Sequence, residues 1–142
     1  MGYSAINIAV ENAFGTAWTT TTVRYDNVPF TIPTTSWVSI SVWPGKSNKG
    51  SLGSGTQLRR TIGTVFIDVY TPINGGVKPA ADLADAIATV FRDLTVSGLI
   101  FFEASISRVS EKYYSNSGSG VPATTQWYQL SVAIPFKYDE YL

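Results

Sequence analysis

Gly45-Lys46-Ser47, directly after an alternating apolar run, has the residue types that close a phosphate-binding loop, where a lysine and a hydroxyl meet phosphate oxygens and magnesium. That motif also needs a glycine five residues before Gly45, where Ile40 stands. The chain then runs on into Asn48-Lys49-Gly50-Ser51, with no helical pattern to supply an N-terminal dipole. Ser54 and Ser119 lie among glycines, as nucleophilic serines do, yet neither has glycine two positions away on both sides. The sequence holds no histidine, so the usual base for such a serine is missing. It holds no cysteine either, which removes thiolate nucleophiles, disulfides and thiolate metal sites together. Asp82 and Asp85, with Asp93 beyond, suit acid–base work or a divalent cation, and equally suit the solvated side of a helix. Asp68 alternates with Phe66 and Tyr70, so its charge calls for a basic partner such as Arg59, Arg60 or Arg108. No catalytic, cofactor-binding or metal-ligating constellation emerges. The sequence predicts a protein that is not an enzyme and has no cofactor.

Lys46, Lys49, Arg59 and Arg60 gather four positive charges on and beside one stretch, with no acidic residue from Ile32 to Ile67. A cluster of this kind fits a nucleic-acid backbone or an acidic protein surface, and it also fits a solvated loop tip that discourages edge pairing. Over the whole chain of 142 residues, ten basic side chains balance ten acidic ones, and charged residues make up only 14%. Zero net charge is poor at gripping a polyanion and poor at keeping copies apart, so it favours life inside an assembly. Four tryptophans and eight tyrosines supply contact area of the type enriched at protein–protein interfaces. The candidate interface residues are therefore Trp37, Trp43 and Trp127, the basic Lys46, Lys49, Arg59 and Arg60, and the paired Tyr113 and Tyr114.

These residues need a frame. Ile6, Val10 and Phe14 repeat at helical spacing within Tyr3 to Ala17. Thr21 to Ile32 reads as a strand, weakened by Pro29. Trp37 to Trp43 alternates, with Val38, Ile40 and Val42 on one side and the two indoles on the other. Pro44 to Thr56, rich in Gly, Ser, Lys and Asn, reads as a long loop. Leu58 to Thr71 is apolar on both faces, which predicts a central strand covered on two sides. After Asn74-Gly75-Gly76, Pro79 opens a second helix with a stripe of Leu83, Ile87, Val90, Phe91 and Leu94, closed by Gly98. Leu99 to Val109 and Gln126 to Tyr138 are further strands, separated by a Gly/Ser loop from Ser110 to Thr125. Strands joined without intervening helices favour antiparallel pairing. The expected fold is α+β: one domain over residues 1–142, a mainly antiparallel sheet of four to five strands, two helices packed on it, and long inter-strand loops. No apolar run is long enough for a membrane span, and Met1-Gly2-Tyr3-Ser4 does not begin a signal peptide, so the sequence predicts a protein that is neither exported nor membrane-bound.

Trp37-Val38-Ser39-Ile40-Ser41-Val42-Trp43-Pro44, then Ser51-Leu52-Gly53, then Arg59-Arg60-Thr61-Ile62-Gly63-Thr64-Val65-Phe66-Ile67-Asp68-Val69-Tyr70 resembles a small phage family. Tyr25-Asp26-Asn27-Val28-Pro29-Phe30, Ala80-Ala81-Asp82-Leu83-Ala84-Asp85-Ala86-Ile87 and Ile134-Pro135-Phe136-Lys137-Tyr138 extend the match over nearly the whole chain. The sequence is similar to the tail-terminator, or tail-completion, proteins of long-tailed bacteriophages. The resemblance implies an α+β virion protein that forms a hexameric ring, caps the tail tube, stops its polymerisation and offers the head its docking surface. It implies partners in the tail tube and neck, DNA passing through the lumen without sequence-specific binding, and a place at the head-proximal end of the tail after assembly in the host cytoplasm. A neighbouring neck or tube protein is the alternative within that class, and a small nucleic-acid-binding module using the basic cluster is the alternative outside it.

Overall fold

Ile6, Val10 and Phe14 recur every fourth residue along α1 (Tyr3–Ala17), which puts all three on one side, where they are buried. In α2 (Lys78–Asp93) the buried side chains are Ala80, Ala84, Ile87 and Phe91, with Leu83 and Val90 packed at their flanks. Proline in the first turn is tolerated because it has no helical partner to lose there. In this computed structural model, which describes residues 3–49, 58–72, 75–96, 98–112 and 127–141, both helices lie on one face of a six-stranded sheet. The strands are β1 (Thr22–Tyr25), β2 (Trp37–Lys49), β3 (Leu58–Pro72), β4 (Leu99–Phe101), β5 (Ser105–Lys112) and β6 (Trp127–Tyr141). Their order is β1-β2-β3-β6-β4, with β5 also on β6. Every pair is antiparallel except β1 with β2.

Alternation and register build the core together. Val38, Val69 and Leu130 form one row across β2, β3 and β6; Ile40, Ile67 and Val132 form the next; Val42, Val65 and Ile134 form the third. All nine side chains are buried under the helices, where each contributes about 1.5–3 kcal/mol of apolar burial. Phe14 stacks between Trp18 and Phe91, tying α1 to α2 above the sheet. Gly63 is a spatial necessity, because a Cβ there would lie 2.6 Å from the Phe136 ring and from the Trp43 carbonyl.

The fold departs from the sequence reading in several places. The strand expected over Thr21 to Ile32 stops at Tyr25 in a turn with Asn27 at φ 56°, and residues 28–36 form an arm. That arm carries the chain across the sheet, which is why β1 and β2 run parallel. The loop expected from Pro44 begins later: β2 passes a bulge between Pro44 and Ser47 and stays paired to Lys49. The strand expected over Leu99 to Val109 is broken at residues 102–104, facing Pro135, which has no N–H to give. Phe102 N–H still donates to the Pro135 carbonyl at 2.8 Å. Gly98, at φ 80°, does not close α2, which ends at Asp93; it forms the turn into β4. The sequence stretch from Ser110 begins as β5, and residues 113–126 lie outside the described part.

Candidate interaction surface

The sheet face turned away from the helices has two halves. At one end Trp37, Tyr70 and Trp127 form a second, small core beneath Phe30 and Ile32 of the arm. Trp37 stacks on Tyr70 with centroids 4.1 Å apart and meets Trp127 edge-on at 6.0 Å. Two of the three candidate indoles are thus interior to the subunit, and only Trp43 is offered outward, at 62% exposure.

The other half of this face is open. Trp43 on β2 lies in the row of Thr64 and Pro135, Phe66 lies beside Ala133, and Ile62 and Ile100 flank Lys137. Phe102 follows just past the end of β4. Trp43, Ile62, Phe66, Ile100 and Phe102 are all exposed, an apolar concentration that scattered surface residues do not produce. Ile62, Phe66, Ile100 and Phe102 are additions to the candidate list. For Ile62 and Phe66 the signal was present in β3, whose two apolar faces implied cover on both sides; helices cover one face and, among the described residues, the arm reaches only part of the other.

The basic cluster is divided by the fold. Arg60 donates to Asp139 through Nε at 2.7 Å and an Nη at 3.0 Å, a forked pair between neighbouring strands. That pairing, with Lys137 alongside, holds the Asp139 carboxyl below its ordinary range. Arg59 is in register with Glu140 on β6. Lys46 is exposed at the β2 bulge, and Lys49 is in register with Arg59. Asp139, distant in sequence, therefore offsets Arg60, and Gly45 and Lys46 belong to a strand rather than to a phosphate-cradling turn. Asp68 has no basic partner among the described residues: Arg60 goes to Asp139, and Arg108 sits over the Tyr128 ring at 5.8 Å. Asp82 pairs with Lys78 on the exposed side of α2. Tyr113 and Tyr114 lie outside the described residues.

A third feature lies at the β1 rim, on the helix side. Glu11, Asn12, Gly15 and Thr16 of α1, with Tyr25 and Val28, line an open notch. Burial first, and then the nearby Asp26, push the Glu11 carboxyl above its ordinary range. Burial and Glu11 likewise raise the Tyr25 phenol. Asp26 accepts a hydrogen bond from Ser41 at 2.8 Å, and no cation pairs with Glu11 among the described residues.

Among the described residues the exposed apolar half-face is the most extended candidate surface. The model of the phage tail terminator protein family matches residues 5–136. The chain belongs to that family. As a tail terminator family member it is a structural component of a bacteriophage tail, whose partners are tail and head components. No curated protein matches its sequence. A solved structure at 18% identity is similar over 100% of this chain and 99% of its own, with a TM-score of 0.63, so the fold is shared beyond detectable sequence likeness. No described helix is long and apolar enough to cross a membrane.

Proposed function

We propose that this chain is one subunit of a hexameric ring that caps the tail tube, stops its polymerisation and presents the surface on which the head docks. The whole chain, residues 1–142, acts as one domain at the head-proximal end of the tail, having assembled in the host cytoplasm. DNA passes through the lumen without sequence-specific contact, in keeping with the zero net charge. The protein works by shape, with no bond made or broken.

The observation that carries this reading is the open half of the sheet face, where Trp43, Ile62, Phe66, Ile100 and Phe102 stand exposed together. A closed ring uses two unlike surfaces of each subunit for itself and needs a third for what it caps. The two rims of the sheet serve the first purpose, and the open face, which such an edge-to-edge ring turns toward its axis, serves the second by seating the end of the tail tube protein. Trp43, Lys46 and Arg59 belong to the assembly surface, whereas Trp37 and Trp127 hold its floor.

Trp43→Ser combined with Phe66→Ser tests this. The variant is expected to melt cooperatively near the parent temperature, to form the same ring, and to lose capping, so that tubes in the presence of the variant grow past their normal length. Tubes of normal length with the double variant would overturn the assignment of this face.

A further inference from the structure

The sheet ends in two unlike rims. β1 has β2 on one side and, among the described residues, no strand on the other; β5 likewise has only β6. The outward N–H and C=O groups of such rims are templates for another strand, and neither β1 nor β5 contains the proline that commonly guards an edge. Strand directions follow from the pairing. β1 and β2 point one way, β3 the other, β6 back again, and β5 opposite to β6. β5 therefore runs antiparallel to β1. A ring whose axis lies along the strands keeps every copy's strands in the same direction, so β1 of one copy meets β5 of the next in antiparallel sense. The helices of both copies then stay on the same side of the joined sheet.

The side chains at the two rims agree with that join. Val23 and Tyr25 are in register with Val38 and Ile40, which puts them on the helix face. Ile106 and Arg108 are in register with Val132 and Leu130, on the same face. Ile106 is exposed there and lacks the apolar cover that a neighbouring strand supplies. The charges are complementary: the β1 rim carries the Glu11 notch, while Arg108 is exposed at the β5 rim with no carboxylate partner among the described residues. Arg24, the cation of β1, is in register with Ser39 and so stands on the other face, away from the notch.

We infer that β1 of each subunit adds to β5 of the next copy as an antiparallel strand, with Arg108 of that copy entering the Glu11 notch. This rests on the ring reading and names the surfaces that close the ring. The two rims differ, so the contact is head-to-tail and closes through rotation rather than pairing two copies face to face. The added strand covers Ile106 with the Val23 and Tyr25 side chains, and the guanidinium meets a carboxylate that is partly withdrawn from water.

Native mass measurement and sedimentation of the full chain test the join, using Glu11→Arg, Arg108→Glu and the two combined. Each single change is expected to weaken assembly at least about tenfold, and the combined exchange to restore most of it. Because the chain has no cysteine, Arg24→Cys with Ser107→Cys places unique thiols on the other face of the same two strands. A short bismaleimide is expected to yield a ladder of covalent oligomers from that variant. Melting curves confirm that each variant is folded. A ring that forms with both single variants unimpaired and gives no ladder overturns the strand addition and leaves the ring reading standing. A parent chain that stays monomeric at all concentrations overturns the ring itself.

Discussion

Val65, Ile67 and Val69 on β3 are fully buried beneath the helices, while Ile62 and Phe66, interleaved with them on the same strand, look out from the opposite face. The two sets differ little in chemical type and wholly in their surroundings. At the far end of that opposite face Phe30 and Ile32 of the arm cover Trp37, Tyr70 and Trp127. Among the described residues no such cover reaches Trp43 and Phe66. The contrast separates two kinds of apolar surface in one sheet: one that holds the subunit together, and one left exposed on the subunit. The second kind is the proposed tube contact.

Neighbouring residues on β3 allow the contrast to be broken directly. Ile67→Ala should cost about 3 kcal/mol, since it removes buried methyl groups from the middle row of the core and leaves a void. A denaturation midpoint unmoved by this change would mean that the helices do not seal that face. Asp139→Asn should cost under about 1 kcal/mol at neutral pH, because its partner Arg60 is well exposed and solvent screens the pair. The sign of its pH dependence is fixed. Asp139 titrates below its unfolded value of 3.8, so its contribution is complete above that value and disappears as the pH falls through the lowered one. Parent and variant should therefore converge in stability under strongly acidic conditions; a constant gap in melting temperature would point to a different role. Phe66→Ala should cost the isolated subunit about 1 kcal/mol, clearly less than Ile67→Ala, because the ring is already more than a third exposed and its loss leaves no sealed void. A loss as large as that of Ile67→Ala would erase the distinction between the faces.

How far the sequence could be read depended on whether a segment has a buried side. α1, α2 and β6 were legible because Ile6/Val10/Phe14, Ile87/Phe91 and Tyr128 through Tyr138 repeat at the period of their element and each meets the core. The second half of β2 was not legible. Beyond Pro44 it is Gly, Lys, Ser and Asn, paired through its backbone to β3 with no apolar alternation to announce it. The break between β4 and β5 was hidden for another reason, since its cause, Pro135, lies on the facing strand. The same holds at the surface. Arg60 looked like part of a positive patch because its carboxylate, Asp139, is 79 residues away in sequence. The exposed apolar face went unread because alternation shows which residues share a face and says nothing of whether a layer covers it.

The pairing of β3 with β6 has a kinetic consequence. Fifteen residue pairs join these strands along their full length, yet more than fifty residues of chain lie between them. Contacts so remote along the polypeptide bring a heavy loop-closure entropy, and chains dominated by them fold in roughly milliseconds to seconds rather than microseconds. On a translating ribosome the β2–β3 hairpin emerges well before its partner, with one flank bare. The nascent chain is most exposed to mispairing in that interval, and in the proposed ring a subunit offers its β5 rim only after β6 has docked.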